Sequence, residues 1–144
     1  MAARNRTAKG RHDSLGLFIE LSSLLVGVAV ARIPAQRHFS ALKSADSRQL
    51  HQVLVRFRQL KAAGGDIVRT VQEKLANDAA LGPAVKSIVI LWFTGQLQLG
   101  LNAAGAAIGD DYFQALMWSC IGSHPPALSD GYFGHWRYPP DTGV

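Results

Sequence analysis

A helical repeat of apolar residues before position 64 is the feature that most constrains the fold. Five apolar side chains recur there with the i, i+3, i+4, i+7 spacing, namely Leu50, Val53, Leu54, Phe57 and Leu60. This spacing places them on one face of a helix, and most of the intervening polar residues fall outside that face. Ser44 is a suitable N-cap, and Gly64-Gly65 is a suitable stop. The pattern therefore predicts a helix from Ser44 to Ala63.

The segment before this helix has an amphipathic pattern of its own. Asp13 or Ser14 is a candidate N-cap for it. Its apolar face would carry Phe18, Leu21, Leu25 and Val28, and its polar stripe Glu20, Ser23 and Gly27. Residues 1–31 also imitate a secretory signal, but Glu20 argues against one. We predict that residues 15–30 form a packed helix that stays in the mature protein.

Three further helices are predicted downstream. Asp66 is predicted to cap a short helix that ends near Asn77-Asp78 and buries Ile67, Val71 and Leu75. Pro83 suits the first turn of the next helix, which is predicted to run to about Leu101. The second of these is apolar on all sides and includes Trp92, so we expect it to be central. Asp110-Asp111 opens a last short helix that ends near Trp118. Strand-like alternation of any length is absent from the sequence, which predicts a single small all-α domain.

Composition and charge favour a subunit of a larger assembly. The chain has 144 residues, of which 48% are hydrophobic and 17% charged, as expected for one globular domain with a partly apolar surface. Most of the formal charge of +5 comes from Arg4, Arg6, Lys9 and Arg11. We interpret residues 1–13 as a basic flexible tail and residues 14–144 as the helical domain. No nucleic-acid-binding module is recognised, so we expect no nucleic-acid partner.

Motifs of catalysis, cofactor binding and metal binding are not found. The glycines at 100, 105 and 109 lack the dinucleotide spacing, and no nucleophile elbow is present. Cys120, His124, Asp130 and His135 match no compact metal-ligand pattern. Cys120, the single cysteine, is predicted to be a small apolar core residue, and Trp92 to pack in the core. We expect a non-catalytic chain with no cofactor or metal of its own.

The C-terminal segment is rich in aromatic residues, glycine and proline. We define residues 119–144 as the C-terminal strap and predict that it is irregular and extended, since so many prolines and glycines do not fit a regular helix. The aromatic side chains of the strap must be covered either by the core of this chain or by a partner protein, and a chain this short has little core to spare, which favours a partner. The predicted partner interface consists of Tyr112, Met117, Trp118, Tyr132, Phe133, His135, Trp136, Tyr138, Pro139 and Pro140.

Residues 14–140 resemble the small, non-catalytic subunit of bacterial membrane-bound FAD-dependent sugar and polyol dehydrogenases. The resemblance is most specific at Ala115-Leu116-Met117-Trp118 and at the Trp136-Arg137-Tyr138-Pro139-Pro140 ending, and Trp92-Phe93-Thr94-Gly95 adds to it. Two departures are His135, where an aromatic residue usually precedes the tryptophan, and the absence of the usual twin-arginine export signal.

The resemblance implies a role beside a large catalytic subunit. That partner would carry FAD and oxidise sorbitol, fructose, gluconate or glucose, and a cytochrome c subunit is left open as a further partner. The complex would lie at the periplasmic face of the inner membrane, with this chain contacting the membrane only peripherally through the complex. A cytoplasmic location is the alternative, because no clear export signal is present. The rival function is a free-standing helical protein that binds nucleic acid or anionic membrane through its basic N-terminus.

Overall fold

The computed structural model describes residues 3–97 and 114–122, with side chains from residue 14 onward. The helices are α1 (Ala3–Val26), α2 (Arg32–Ala63), α3 (Ile67–Val71) with a π-helical turn directly after it (Gln72–Ala76), α4 (Gly82–Thr94) and α5 (Leu116–Cys120). The described ranges contain no strand, so the predicted all-α fold class is confirmed there.

Helix α1 is longer at its N-terminus than predicted and shorter at its C-terminus. It begins at Ala3, so Asp13 and Ser14 lie inside it and the prediction of an N-cap there is wrong. Phe18 and Leu21 are fully buried, as predicted. The helix ends at Val26 because Gly27 takes a left-handed backbone conformation, with φ of 77°. Val28 therefore lies beyond the helix and is 52% exposed, which contradicts its predicted place on the buried face.

Helix α2 consists of two helical halves joined at a kink. Asp46 has non-helical dihedral angles, φ −152° and ψ 87°, and its Oδ1 accepts a hydrogen bond of 2.9 Å from the backbone N–H of Gln49. Asp46 is thus the N-cap of the second half, and the prediction of Ser44 is wrong by two residues. The five periodic apolar residues from Leu50 to Leu60 are all buried, and the predicted end at Ala63 is confirmed.

The first half of α2 corresponds to no predicted element. It buries Ala35, His38 and Leu42. Pro34 lies in its first turn, where the missing N–H of proline would have no helical partner in any case. The segment is therefore compatible with a helix start, although it lacks a side-chain cap.

The caps of α3 and α4 agree with the sequence. Asp66 accepts a hydrogen bond of 3.2 Å from the N–H of Arg69, and Pro83 lies in the first turn of α4. The predicted extension of α4 to about Leu101 is wrong, because Gly95 takes a left-handed conformation with φ of 70° and its N–H bonds to the carbonyl of Leu91 at 2.8 Å. Helix α4 packs against α1, α2, the π-helical turn and α5, so it is central as predicted.

The core is formed where α1 and α4 meet the two halves of α2. The rings of Phe18 and Phe39 join α1 to the first half of α2, with centroids 5.5 Å apart. His38 and Trp92 join that half to α4 in an edge-to-face contact at 4.5 Å. Trp92 is buried, which confirms its predicted core position.

The last described helix begins later than predicted. Ala115 has an extended backbone, with ψ of 136°, and acts as the N-cap position of α5, which therefore starts at Leu116. Trp118 lies inside α5 instead of ending it. Asp110 and Asp111, the predicted start, are outside the described residues.

Candidate partner-binding site

Two of the ten predicted interface residues, Met117 and Trp118, lie in the described part of the chain, and both are on α5. The other eight are outside it, namely Tyr112, Tyr132, Phe133, His135, Trp136, Tyr138, Pro139 and Pro140. His124, Asp130 and His135, which match no metal-ligand pattern in the sequence, are likewise outside it, and so is nearly all of the C-terminal strap. The site is therefore built from α5 and the surfaces around it.

Helix α5 is fixed to the domain by its N-terminal residues. Ala115 is buried, and Leu116 packs against the hydrophobic core. Just before them, Gln114 Oε1 accepts a hydrogen bond of 3.2 Å from Arg37 Nη2, which connects this segment to the first half of α2. Apolar burial contributes more to this attachment than the exposed hydrogen bond does. One side of α5 is thus anchored against α4 and the core.

Three apolar side chains at the end of α5 are partly or largely accessible to solvent. Met117 and Trp118 are half-buried, and Ile121, the residue after the helix, is 66% exposed. The N–H of Ile121 donates to the carbonyl of Met117 at 3.0 Å, so its backbone is held by the helix end. We call Met117, Trp118 and Ile121 the α5 patch. Exposed apolar side chains mark an interaction surface when they are contiguous with others, as these three neighbours in sequence are.

Cys120 is exposed, so its predicted role as a small core residue is wrong. The helix α5 is only five residues long, from Leu116 to Cys120, and its inward contacts come from its first turn. The second turn therefore has no core to pack against. Sequence reasoning placed Cys120 after a packed helix and assumed that the packing continued.

An apolar groove lies between α1, α3 with its π-helical turn, and α4. Its volume is about 460 Å³, and its apolar lining comes from Leu24 and Leu25 of α1, Val68 and Val71 of α3, and Val85 and Val89 of α4. Val68 is 56% exposed at its edge. Sequence reasoning missed this groove. The one available signal was the apolar character of α4 on all sides, two of whose residues, Val85 and Val89, line the groove.

A second cleft, of about 490 Å³, lies between the second half of α2 and the turn before α4. It mixes polar and apolar residues, and it is lined by His51, Gln52, Val55, Arg56 and Gln59 on one side and by Asp78, Ala80 and Leu81 on the other. Asp78 Oδ1 accepts hydrogen bonds of 2.8 Å from the N–H groups of Leu81 and Ala80. These two bonds, that from Leu81 first, hold the pKa of Asp78 below its usual value, and the charge of Arg56 adds to the effect.

The arrangement around Asp78 is that of a capping residue and not of a reactive one. Its carboxylate stabilises the turn that leads into α4, and a lowered pKa makes it a poorer base. Within residues 14–97 and 114–122, no three histidine, cysteine, aspartate or glutamate side chains form a group suited to a metal ion. Apolar area is found instead at the α5 patch and in the groove.

Comparison with known proteins gives no further identification. No family model matches the chain, and no curated protein shows significant sequence similarity to it. Among the helices of the described ranges, none combines the length and the hydropathy needed to span a bilayer.

Proposed function

We propose that this chain is a non-catalytic subunit that binds and stabilises the large FAD-dependent subunit of a sugar or polyol dehydrogenase complex. The observation that carries the proposal is the α5 patch, where one exposed and two half-buried apolar side chains lie on or next to a short helix anchored to the core. This patch lies at the start of the C-terminal strap, whose sequence supplies further aromatic residues. The nature of the partner rests on the family resemblance given above.

The α5 patch is suited to binding because it is fixed before a partner arrives. Ala115 and Leu116 attach α5 to the domain, so ordering this helix costs little entropy on association. Tryptophan and other large apolar residues dominate the binding energy of most interfaces. Trp118 and Ile121 would therefore begin a contact that Trp136 and Tyr138 of the strap extend.

The effect on the partner follows from mass action. A subunit that binds the folded large subunit, and not its unfolded form, stabilises it by about 2.7 kcal/mol when its free concentration is a hundredfold above Kd. In this proposal the partner supplies FAD and the oxidation chemistry, and this chain supplies binding surface. The complex would lie at the periplasmic face of the inner membrane, where a cytochrome c subunit is a further candidate partner.

Co-expression with a candidate large subunit tests the proposal. Purification through this chain should recover the flavoprotein, and Ile121→Asp should weaken the complex at least about tenfold, since a charge would enter an apolar contact. Val55→Asp is the matched control, because Val55 is an exposed valine on the second half of α2, outside the α5 patch. It should leave affinity within about twofold.

A second variant tests the strap itself. Trp136→Ala should weaken the complex by about 2 kcal/mol, roughly thirtyfold in affinity, while the isolated chain keeps its melting temperature. The opposite result, unchanged affinity with a lowered melting temperature, would show that Trp136 packs within the chain. Failure of every candidate sugar or polyol dehydrogenase to co-purify would refute the proposed partner class.

A further inference from the structure

The turn between α1 and α2, residues 27–31, together with the start of α2, presents aliphatic side chains to solvent. Val28 is 52% exposed and Ile33 is 71% exposed, the latter being the most exposed large hydrophobic residue in the described part of the chain. Arg32 lies between them in sequence and is exposed too. We call Val28, Arg32 and Ile33 the α1–α2 tip.

The backbone of this turn is held by hydrogen bonds that fix which side chains point outward. The N–H of Gly27 donates to the carbonyl of Ser23 at 3.0 Å, and the N–H of Val30 donates to Ser23 Oγ at 3.3 Å. Ser23 Oγ in turn donates to the carbonyl of Ile19 at 2.8 Å. Val30 packs against the core while Val28 remains outside. The exposure of Val28 is therefore a property of an ordered turn.

The charged residues nearest the tip in sequence are cations. Arg32 lies in the tip and Arg37 about one turn further along α2, whereas the nearest acid in sequence, Glu20, lies about two turns back on α1 and is paired with Lys61 at 2.6 Å. Arg37 is hydrogen-bonded to Gln114 and still contributes its positive charge, and Arg32 and Lys43 are exposed. The tip thus combines outward aliphatic side chains with cations and no nearby acid in sequence. This combination complements an anionic bilayer, whose headgroups attract cations and whose acyl boundary accepts aliphatic groups.

We infer that the α1–α2 tip docks on an anionic lipid surface, inserting Val28 and Ile33 at the headgroup boundary while Arg32 pairs with lipid phosphate. Nucleic acid would be attracted by the same cations, but it offers no apolar phase for two aliphatic residues, and binding to it uses aromatic stacking that the tip lacks. The inference is independent of the proposed subunit role. It assigns the chain a direct membrane contact instead of one made only through a complex.

Vesicle sedimentation with the full chain tests the inference. We expect binding to vesicles of equimolar phosphatidylserine and phosphatidylcholine, and binding at least about tenfold weaker to phosphatidylcholine alone. Val28→Asp and Ile33→Asp should each weaken binding to the anionic vesicles about tenfold, whereas Val28→Leu and Ile33→Leu should retain it. Val55→Asp adds the same charge at an exposed valine elsewhere, and its affinity for the anionic vesicles should stay within about twofold of that of the parent chain.

The control variants separate the tip from other basic segments. If Val28→Asp lowers the melting temperature, Val28→Ser removes the apolar side chain without adding charge and should still weaken binding. If Val55→Asp weakens vesicle binding as much as Val28→Asp does, the weakening is explained by net charge alone, and the inference is overturned. Two other results would overturn it. In the first, vesicle binding survives all changes at the tip but disappears when Arg4, Arg6, Lys9 and Arg11 are replaced by glutamine. In the second, duplex DNA binds to the chain more tightly than the anionic vesicles do.

Discussion

Replacing Gly82 with alanine should destabilise the domain, because a backbone atom occupies the space that a side chain would need. A Cβ built on Gly82 would lie 2.6 Å from the carbonyl oxygen of Ala76 and 3.5 Å from its carbonyl carbon. Contacts below about 3 Å between these atom types are strongly repulsive, so one of the two backbones must move. Ala76 ends the π-helical turn and Gly82 begins α4, so the two elements would be forced apart.

The surrounding hydrogen bonds limit how far either backbone can move. The N–H of Gly82 donates to the carbonyl of Asp78 at 2.8 Å, while Asp78 also caps the turn through its side chain. Forcing extra atoms into such a site costs about 1–3 kcal/mol. Alanine regains less than about 1 kcal/mol through helix propensity, since Gly82 is at a helix end. The net loss should be about 1–2 kcal/mol.

Thermal and urea unfolding of the isolated chain would measure this loss. The melting temperature should fall by about 3–8 °C. Gly16→Ala is the matched control, because Gly16 is exposed within α1 and a Cβ added to it would meet no heavy atom within 4 Å. It should raise stability by about 0.5–1 kcal/mol. A Gly82→Ala variant as stable as the parent, or stabilised like Gly16→Ala, would refute the close approach of Gly82 to Ala76.

Two capping residues give further predictions. Asp46→Ala should lower the free energy of unfolding by about 1 kcal/mol, since it removes the N-cap of the second half of α2, whereas Ser44→Ala should change it by less than about 0.5 kcal/mol. If denaturant unfolding shows a larger loss for Ser44→Ala than for Asp46→Ala, Ser44 is the cap. The pKa of Asp78 is lowered by folding, so its contribution to stability is complete above its unfolded pKa of about 3.9 and declines as the pH falls through the lower folded value. The difference in melting temperature between the parent and Asp78→Ala should therefore shrink as the pH is lowered from about 5 to about 2, and a difference that grows toward low pH would contradict the capping role.

The second half of α2, α3 and the start of α4 could be predicted because their signals are local. Apolar periodicity from Leu50 to Leu60, the cap at Asp66 and the proline at position 83 each depend on neighbours within a turn or two. Ser44 and Asp46 are equally good caps by type, and only the kink observed at Asp46 decides between them. The sequence pattern alone does not show at which of the two residues the helix is interrupted.

Other features depend on contacts between elements and were missed for that reason. The buried residues of the first half of α2, Ala35, His38 and Leu42, have helical spacing, but one of them is a histidine, whose burial depends on Trp92 of α4, distant in sequence. The apolar groove needs three helices to define it. Of the predicted interface residues, Met117 and Trp118 lie on the anchored helix α5, and the role of all ten residues in partner binding stays a prediction.

The exposure of Cys120 has a practical consequence for measuring association. It is the single cysteine of the chain, and it lies directly before Ile121 at the end of α5. A maleimide fluorophore or a nitroxide spin label would therefore attach at one defined position of the unmutated protein, beside the α5 patch. Changes in its emission or mobility would report occupancy of that surface in real time, for the parent chain and for any variant described above.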